Sequence, residues 1–230
     1  MALQRHEVVD AALQLLDRDG LEGVTLRRLA KELEVQAMSL YWYVRNKQDL
    51  LDEMANAILG VQFDDHPERR ADQPWQDWLT DSAHALRDAL LSRQHGARVV
   101  VGANLDRAVR FADMSEMLIR TLVEAGFDLL SARNVTLTVI HYTFGQVIEE
   151  QAFNELSGVD EAAMKELNER VPTVAASIGE VMASGRTPRD LYDDGLQLII
   201  RGAAPVQAGP ERTRPPAWHR SPPEHHRYPV

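Results

Sequence analysis

Five cationic side chains, Arg27, Arg28, Lys31, Arg45 and Lys47, crowd the second half of the first 50 residues, while the acids of that stretch gather mainly at 7–22. Guanidinium and ammonium groups set that closely suit the neutralisation of phosphates along a nucleic-acid backbone. A solvated helix face carries the same residues, so the chemistry depends on what holds them in register. The whole chain argues against such a partner at first sight. Its 35 acidic and 25 basic residues leave a formal net charge of −10, and an even spread of that excess repels nucleic acid and anionic lipid alike. The spread is uneven. Residues 1–50 carry net −1, residues 51–204 net −11 and residues 205–230 net +2.

Other chemistries lack their residues. Cysteine is absent from the 230 residues, which excludes a disulfide framework, a thiolate metal site and a cysteine nucleophile. No HxxxH pair, nucleophile elbow or glycine-rich phosphate loop occurs, so an enzyme is disfavoured and no cofactor or protein-held metal is expected. His225 and His226 are adjacent in a proline-rich stretch, a poor arrangement for a metal site. Apolar runs stay far below the roughly 20 residues that span a bilayer. The first seven residues do not read as a secretory signal. A soluble cytoplasmic protein with no membrane partner is the expectation.

The elements that must position the basic cluster are helices. Val9, Ala12, Leu13 and Leu16 follow helical spacing over 3–18, and Gly20 and Gly23 bracket the break after it. Thr25 caps a short second helix with Leu26, Leu29, Ala30 and Leu33 inward and Arg27, Arg28 and Lys31 outward. A third short helix covers 36–43, and Asn46 caps a fourth over 46–62. Beyond a polar linker at 64–74, helical repeats cover 75–92, 107–125, 129–155 and 160–183. Thr187-Pro188 then opens a last helix to 203. Val99–Val101 is the one β-like stretch, too short to found a sheet. Seven of the eleven prolines fall in 204–230, which reads as a disordered tail. The fold class is all-α. An N-terminal three-helix helix-turn-helix unit occupies 1–48, and a helical ligand-binding and dimerisation domain occupies 49–203.

Two short helices joined by a tight turn make a DNA-reading motif by pattern. The residues Leu26-Arg-Arg-Leu-Ala30, Ser39-Leu-Tyr-Trp-Tyr-Val44, Asn46-Lys47 and Leu50-Leu51 closely resemble the DNA-binding domain of the tetracycline repressor (TetR) family. The resemblance implies that Arg27 and Arg28, with Thr25 at the cap, read bases or hold phosphates. An arginine fork on guanine O6 and N7 is worth about 1–3 kcal/mol of discrimination. It also implies that Gln36, Ala37 and Ser39 enter the major groove on a recognition helix, that Tyr41, Trp42 and Tyr43 flank it, and that Lys47 meets a phosphate. Leu40 is a core position, and Trp42 belongs either to that small core or to the groove. The family often places glycine in the turn, where this chain has Glu34, at a cost of about 1 kcal/mol if the turn is left-handed. Met38 replaces a position often held by proline or a small residue.

Residues 75–203 resemble the tetracycline-repressor branch, through Trp75-Gln-Asp-Trp-Leu79, Gly96-Ala-Arg-Val99, Tyr142-Thr-Phe-Gly145, Glu149-Glu-Gln151 and Gly195-Leu-Gln-Leu-Ile-Ile-Arg-Gly202. The resemblance implies a homodimer in which 129–155 and 188–203 pack as a four-helix bundle, a palindromic double-stranded DNA operator, and a small-molecule effector that releases it. Members of that branch chelate a magnesium–drug complex with a histidine. At the matching place this chain has Val100, which has no lone pair to give a metal. The matching pocket positions are Phe63, Ser82, Leu86, Val100, Ala103, Asn104, Leu105 and Leu118, an apolar set that suits a largely hydrophobic molecule fixed by Asn104, Ser82 or His141. His141 is either a satisfied core histidine or a ligand contact. Glu149 is either a solvated charge or an outer pocket acid.

Overall fold

The computed structural model describes residues 3–104, 106–155 and 161–207. All regular structure among them is helical: α1 (Arg5–Gly23), α2 (Leu26–Glu32), α3 (Ala37–Leu40), α4 (Lys47–Phe63), α5 (Trp75–Leu91), α6 (Gly96–Val101), α7 (Val109–Glu124), α8 (Leu129–Glu155), α9 (Glu161–Arg170), α10 (Pro172–Ser184) and α11 (Pro188–Gln207).

The N-terminal unit is built by local chemistry. The Glu7 carboxylate accepts the Gln4 N–H at 2.7 Å, closing the start of α1. The helix breaks at Gly20 (φ 67°), where the sequence expects a break, and resumes to Gly23. Thr25 Oγ1 accepts the Arg28 N–H at 3.2 Å and Asn46 Oδ1 accepts the Asp49 N–H at 2.8 Å, so both expected caps form. Between α2 and α3 the chain turns through Glu34 at φ 53°. Its N–H donates to Lys31 O (3.3 Å) and the next N–H, of Val35, to Ala30 O (2.9 Å), a Schellman closure of α2.

The body is layered on α5, which packs against α4 and α8; α8 in turn carries α11, while α4 also meets α6 and α7. Trp75 sits edge-on to Phe127, 5.0 Å away, and seals the start of α5 against the turn that follows α7. Tyr142 of α8 stacks on Tyr192 of α11 at 5.3 Å, and a Cβ at Gly195 would strike the Tyr142 hydroxyl. That close approach is why glycine stands there. The small N-terminal unit meets the body chiefly through α1 on α4, so α4 belongs to both.

Three sequence expectations change. Val99–Val101 is the end of α6, not an extended segment: its β-branched residues lack a neighbouring strand among the described residues, and Val99 and Val100 are buried in the core. The helix expected over 160–183 is two, because Pro172 has no N–H to continue the ladder and opens α10 instead. Finally, α11 runs past 203 to Gln207, into the stretch read as tail; the rest of that tail lies outside the described residues.

Candidate functional site

The helix-turn-helix presents its cations unequally. Arg28 is pinned to α1 by Asp19 Oδ2 at 2.5 Å, and Arg18 forks onto Glu32 at 3.1 and 3.0 Å, tying α1 to α2. That fork holds the Glu32 carboxyl below, and the Arg18 guanidinium above, their ordinary ranges. Arg27 is exposed on α2. Lys47 Nζ makes only a long 3.4 Å bond to Leu21 O, one a phosphate can displace. The Thr25 hydroxyl oxygen is committed to its cap, leaving the O–H as its outward donor.

On the recognition segment Gln36 and Ala37 are exposed, Ser39 is half-buried and Leu40 is core. Tyr41 and Trp42 stand out, Trp42 at 87% exposure, so the indole belongs to the surface and not to the small core. Tyr43 differs from the expectation that it flanks the groove: it is half-buried and its hydroxyl donates to Leu3 O at 2.6 Å, holding the segment that leads into α1.

In the body Leu86, Val100 and Leu118 are buried, and Ser82, also buried, bonds Trp78 O at 2.9 Å and His66 Nε2 at 3.0 Å. Phe63 is half-buried beside the His66 ring at 5.1 Å. Phe63 and His66 line a cavity of about 210 Å³ with Met114, Met117, Asp113 and Arg120. Burial lowers the His66 imidazole below its ordinary range, against an opposing pull from Asp81. In the sequence His66 falls within the polar linker and draws no attention; its one signal is a lone histidine three residues after the last apolar residue of α4. A larger cleft of about 660 Å³ opens between α1 and α4, over Val9, Ala57 and Val61.

Two pocket expectations, for Asn104 and His141, need correction, while Glu149 stands as the solvated charge that is one of its two readings. Asn104 is exposed, and its backbone N–H (2.9 Å) and side-chain amide (3.2 Å) both turn to the Asp52 carboxylate. His141 and Glu149 share an exposed stripe of α8 with Gly145, one helical turn apart each; the inward stripe is Ile140, Thr143, Phe144 and Val147. His141 is therefore neither a core histidine nor a contact in the interior of this chain. Ala103 is half-buried beside α6, and Leu105 lies outside the described residues.

This arrangement is matched by known proteins. Residues 8–54 match the model for bacterial regulatory proteins of the tetR family, and residues 66–206 match the tetracyclin repressor-like C-terminal domain. The chain belongs to the TetR family. It is 36% identical over 202 residues to the class A tetracycline repressor protein from transposon 1721 of Escherichia coli, covering 88% of this chain and 91% of the relative. A possible TetR family transcriptional regulator from Streptomyces coelicolor A3(2) superposes with TM-score 0.74 at 33% identity, over 88% of this chain and all of the other. BioQ, solved with its double-stranded DNA operator, superposes with TM-score 0.66 at 30% identity, over 88% of this chain and 99% of the other. The protein is a DNA-binding transcriptional regulator, and families of this kind are transcription factors rather than enzymes. Among the described residues no helix is long and apolar enough to cross a membrane.

In this TetR-family protein α4 carries a ladder of polar contacts to the segment that follows α6. Asp52, 2% exposed, accepts from Gln48 Nε2 (2.9 Å) and from both Asn104 donors. Gln48 Nε2 also reaches Gly102 O at 2.9 Å, Asn56 Nδ2 reaches Arg107 O at 3.1 Å, and Asn56 Oδ1 accepts the Arg110 N–H at 3.1 Å. Arg110 and Asp64 close the far end at 2.8 Å. Polar side chains along one helix thus grip one short segment.

Proposed function

We propose that the protein is a homodimeric, ligand-responsive regulator, a repressor that holds a palindromic operator until a largely hydrophobic small molecule releases it. The observation that carries this reading is the dual attachment of α4. Its first turn bears the Asn46 cap and Lys47 at the DNA-reading unit, while Gln48, Asp52 and Asn56 grip the segment leading from Val100 into α7. A molecule wedged among Leu86, Val100 and Leu118 displaces that segment and carries α4 with it. The recognition helices of two protomers then leave the spacing of about 34–36 Å that adjacent half-sites require. Ligand achieves this by preferring the displaced form, and a few kcal/mol of preference suffices.

The effector class follows from the side chains. Val100 is buried and offers no donor to a metal, so the residues do not fit the magnesium–drug complex of the tetracycline-repressor branch. The apolar contacts come from buried Leu86, Val100 and Leu118, while the cavity beside His66 offers Phe63, Met114 and Met117 under a rim of charged side chains that includes Asp113 and Arg120. Dimerisation through α8 and α11 is supported by Leu129, Leu130 and Leu198, large apolar side chains left exposed on two helices that pack against each other.

A mobility shift on the DNA flanking the protein's own coding region tests the reading. Retardation that weakens with salt is expected. No retardation even at low salt, where phosphate contacts are strongest, refutes it. In an operator that binds, Val100→Ala alters effector release and leaves operator affinity unchanged; an equal drop in affinity without effector sinks the pocket assignment.

A further inference from the structure

The recognition segment exposes more apolar surface than a phosphate-reading face needs. Met38 is 73% exposed, Tyr41 53% and Trp42 87%, three large apolar side chains within five residues. Helical hydrogen bonding continues beyond α3, from Trp42 N to Ser39 O and from Val44 N to Leu40 O. Met38 and Trp42 therefore stand one turn apart on the same face, with Ala37 beside Met38 and Leu40 on the opposite, buried side. Of these groups Met38 takes no part in holding phosphates and none in the core.

We propose that Met38 determines operator specificity by seating against the C5-methyl group of a thymine in the major groove. The proposal rests on the DNA-binding reading and deepens it. The occupant follows from the elements that flank the patch: Arg27 is exposed on α2, which packs on α3, Arg45 is exposed in the turn after α3, Lys47 begins the next helix, and Gln36 precedes α3 as an amide able to pair with a base edge. Phosphate-reaching cations around an apolar centre describe a surface that a duplex covers. In the major groove guanine shows only acceptors, cytosine a donor and adenine one of each; thymine alone shows a methyl group. Methionine offers no N–H or O–H to the polar edges, and its thioether is a weak acceptor. Its flexible, polarizable chain conforms to an apolar bump and is desolvated at a loss against a G·C edge. Ala37, with only a methyl of its own, leaves room for that approach.

The methyl group is removable without touching any hydrogen-bonding atom, because deoxyuridine differs from thymidine by that group alone. The full-length chain is used to select duplexes from a random library. The enriched duplex is then resynthesised with deoxyuridine at each thymidine in turn, and dissociation constants are measured for the wild type and for Met38→Ala. One thymidine per half-site is expected at which the replacement weakens wild-type binding about fourfold, and about fifteenfold when both half-sites carry it. Met38→Ala is expected to bind the thymidine and deoxyuridine forms of that position alike. Met38 packs against nothing that the fold requires, so the variant folds, and its helical circular dichroism checks this. If wild type and Met38→Ala respond equally to every replacement, the inference is overturned while DNA binding stands. If no duplex is enriched, the DNA-binding reading falls and takes the inference with it.

Discussion

Glu34 carries a backbone cost that a single substitution recovers. At φ 53° it occupies the left-handed region, where an L-residue loses about 1–2 kcal/mol to the clash between Cβ and carbonyl oxygen. The position is the residue after the α2 cap, and both Schellman bonds, to Lys31 O and Ala30 O, depend on that conformation. Glycine adopts it without strain but loses about 0.5–1 kcal/mol more backbone freedom on folding. The difference leaves Glu34→Gly more stable by about 0.5–1 kcal/mol, a rise in Tm of about 1–4 °C for a chain of this size. Thermal melts of the full chain, followed by circular dichroism, measure it. Glu34→Gln is the essential companion, since it keeps the Cβ and removes the charge, and its Tm is expected to stay near wild type. Glu34→Asn falls between, because asparagine tolerates this region better. A glutamine variant as stable as the glycine one refutes the backbone argument and assigns the effect to the carboxylate. The glycine and glutamine variants each remove one negative charge beside the recognition helix, so an equal rise in DNA affinity in the two is expected and separates charge from strain.

Three other outcomes follow from named contacts. Asp52→Ala leaves the Asn104 N–H without its carboxylate and is expected to cost about 1–3 kcal/mol in urea unfolding. The double variant with Asn104→Ala costs less than the two singles together, and strict additivity would show that the pair is not coupled. Burial holds the His66 imidazole below the ordinary histidine range, so the unfolded chain takes up protons at a pH where the folded one does not. Its contribution to stability is complete above the ordinary histidine pKa of about 6.5 and declines as pH falls through the depressed folded value. His66→Gln flattens the decline in urea midpoints measured across that window, and an unchanged slope contradicts the assignment. Lys47→Ala weakens operator binding uniformly across sequences and lowers the salt slope by about one, the counterion of a single phosphate, whereas a change in sequence preference would place Lys47 at a base.

Local chemistry is legible in the chain itself. Thr25 and Asn46 cap the helices they are expected to cap, Gly20 breaks α1, and Leu40 is core, because each depends on groups within a few residues along the chain. The helices of the body follow from apolar spacing, which reports which face is buried. Spacing fails at Val99–Val101, where β-branched residues suit a strand or a buried helix equally and only a neighbouring strand could decide for the former. It fails again at 160–183, where the pattern runs on across a proline that opens a new helix.

Periodicity, capping and charge are properties of the chain in order, and they suffice for the helical fold class, the basic DNA-reading unit and the acidic body. Which polar groups meet was decided only by the tertiary structure. Asn104, expected to face a ligand, faces Asp52, 52 positions away. Arg28 spends its charge on Asp19, and His66 leaves its linker to bond Ser82. The physical reason is that hydrogen bonds and ion pairs are made at about 3 Å, and a one-dimensional pattern fixes the face of a helix without fixing what stands opposite it.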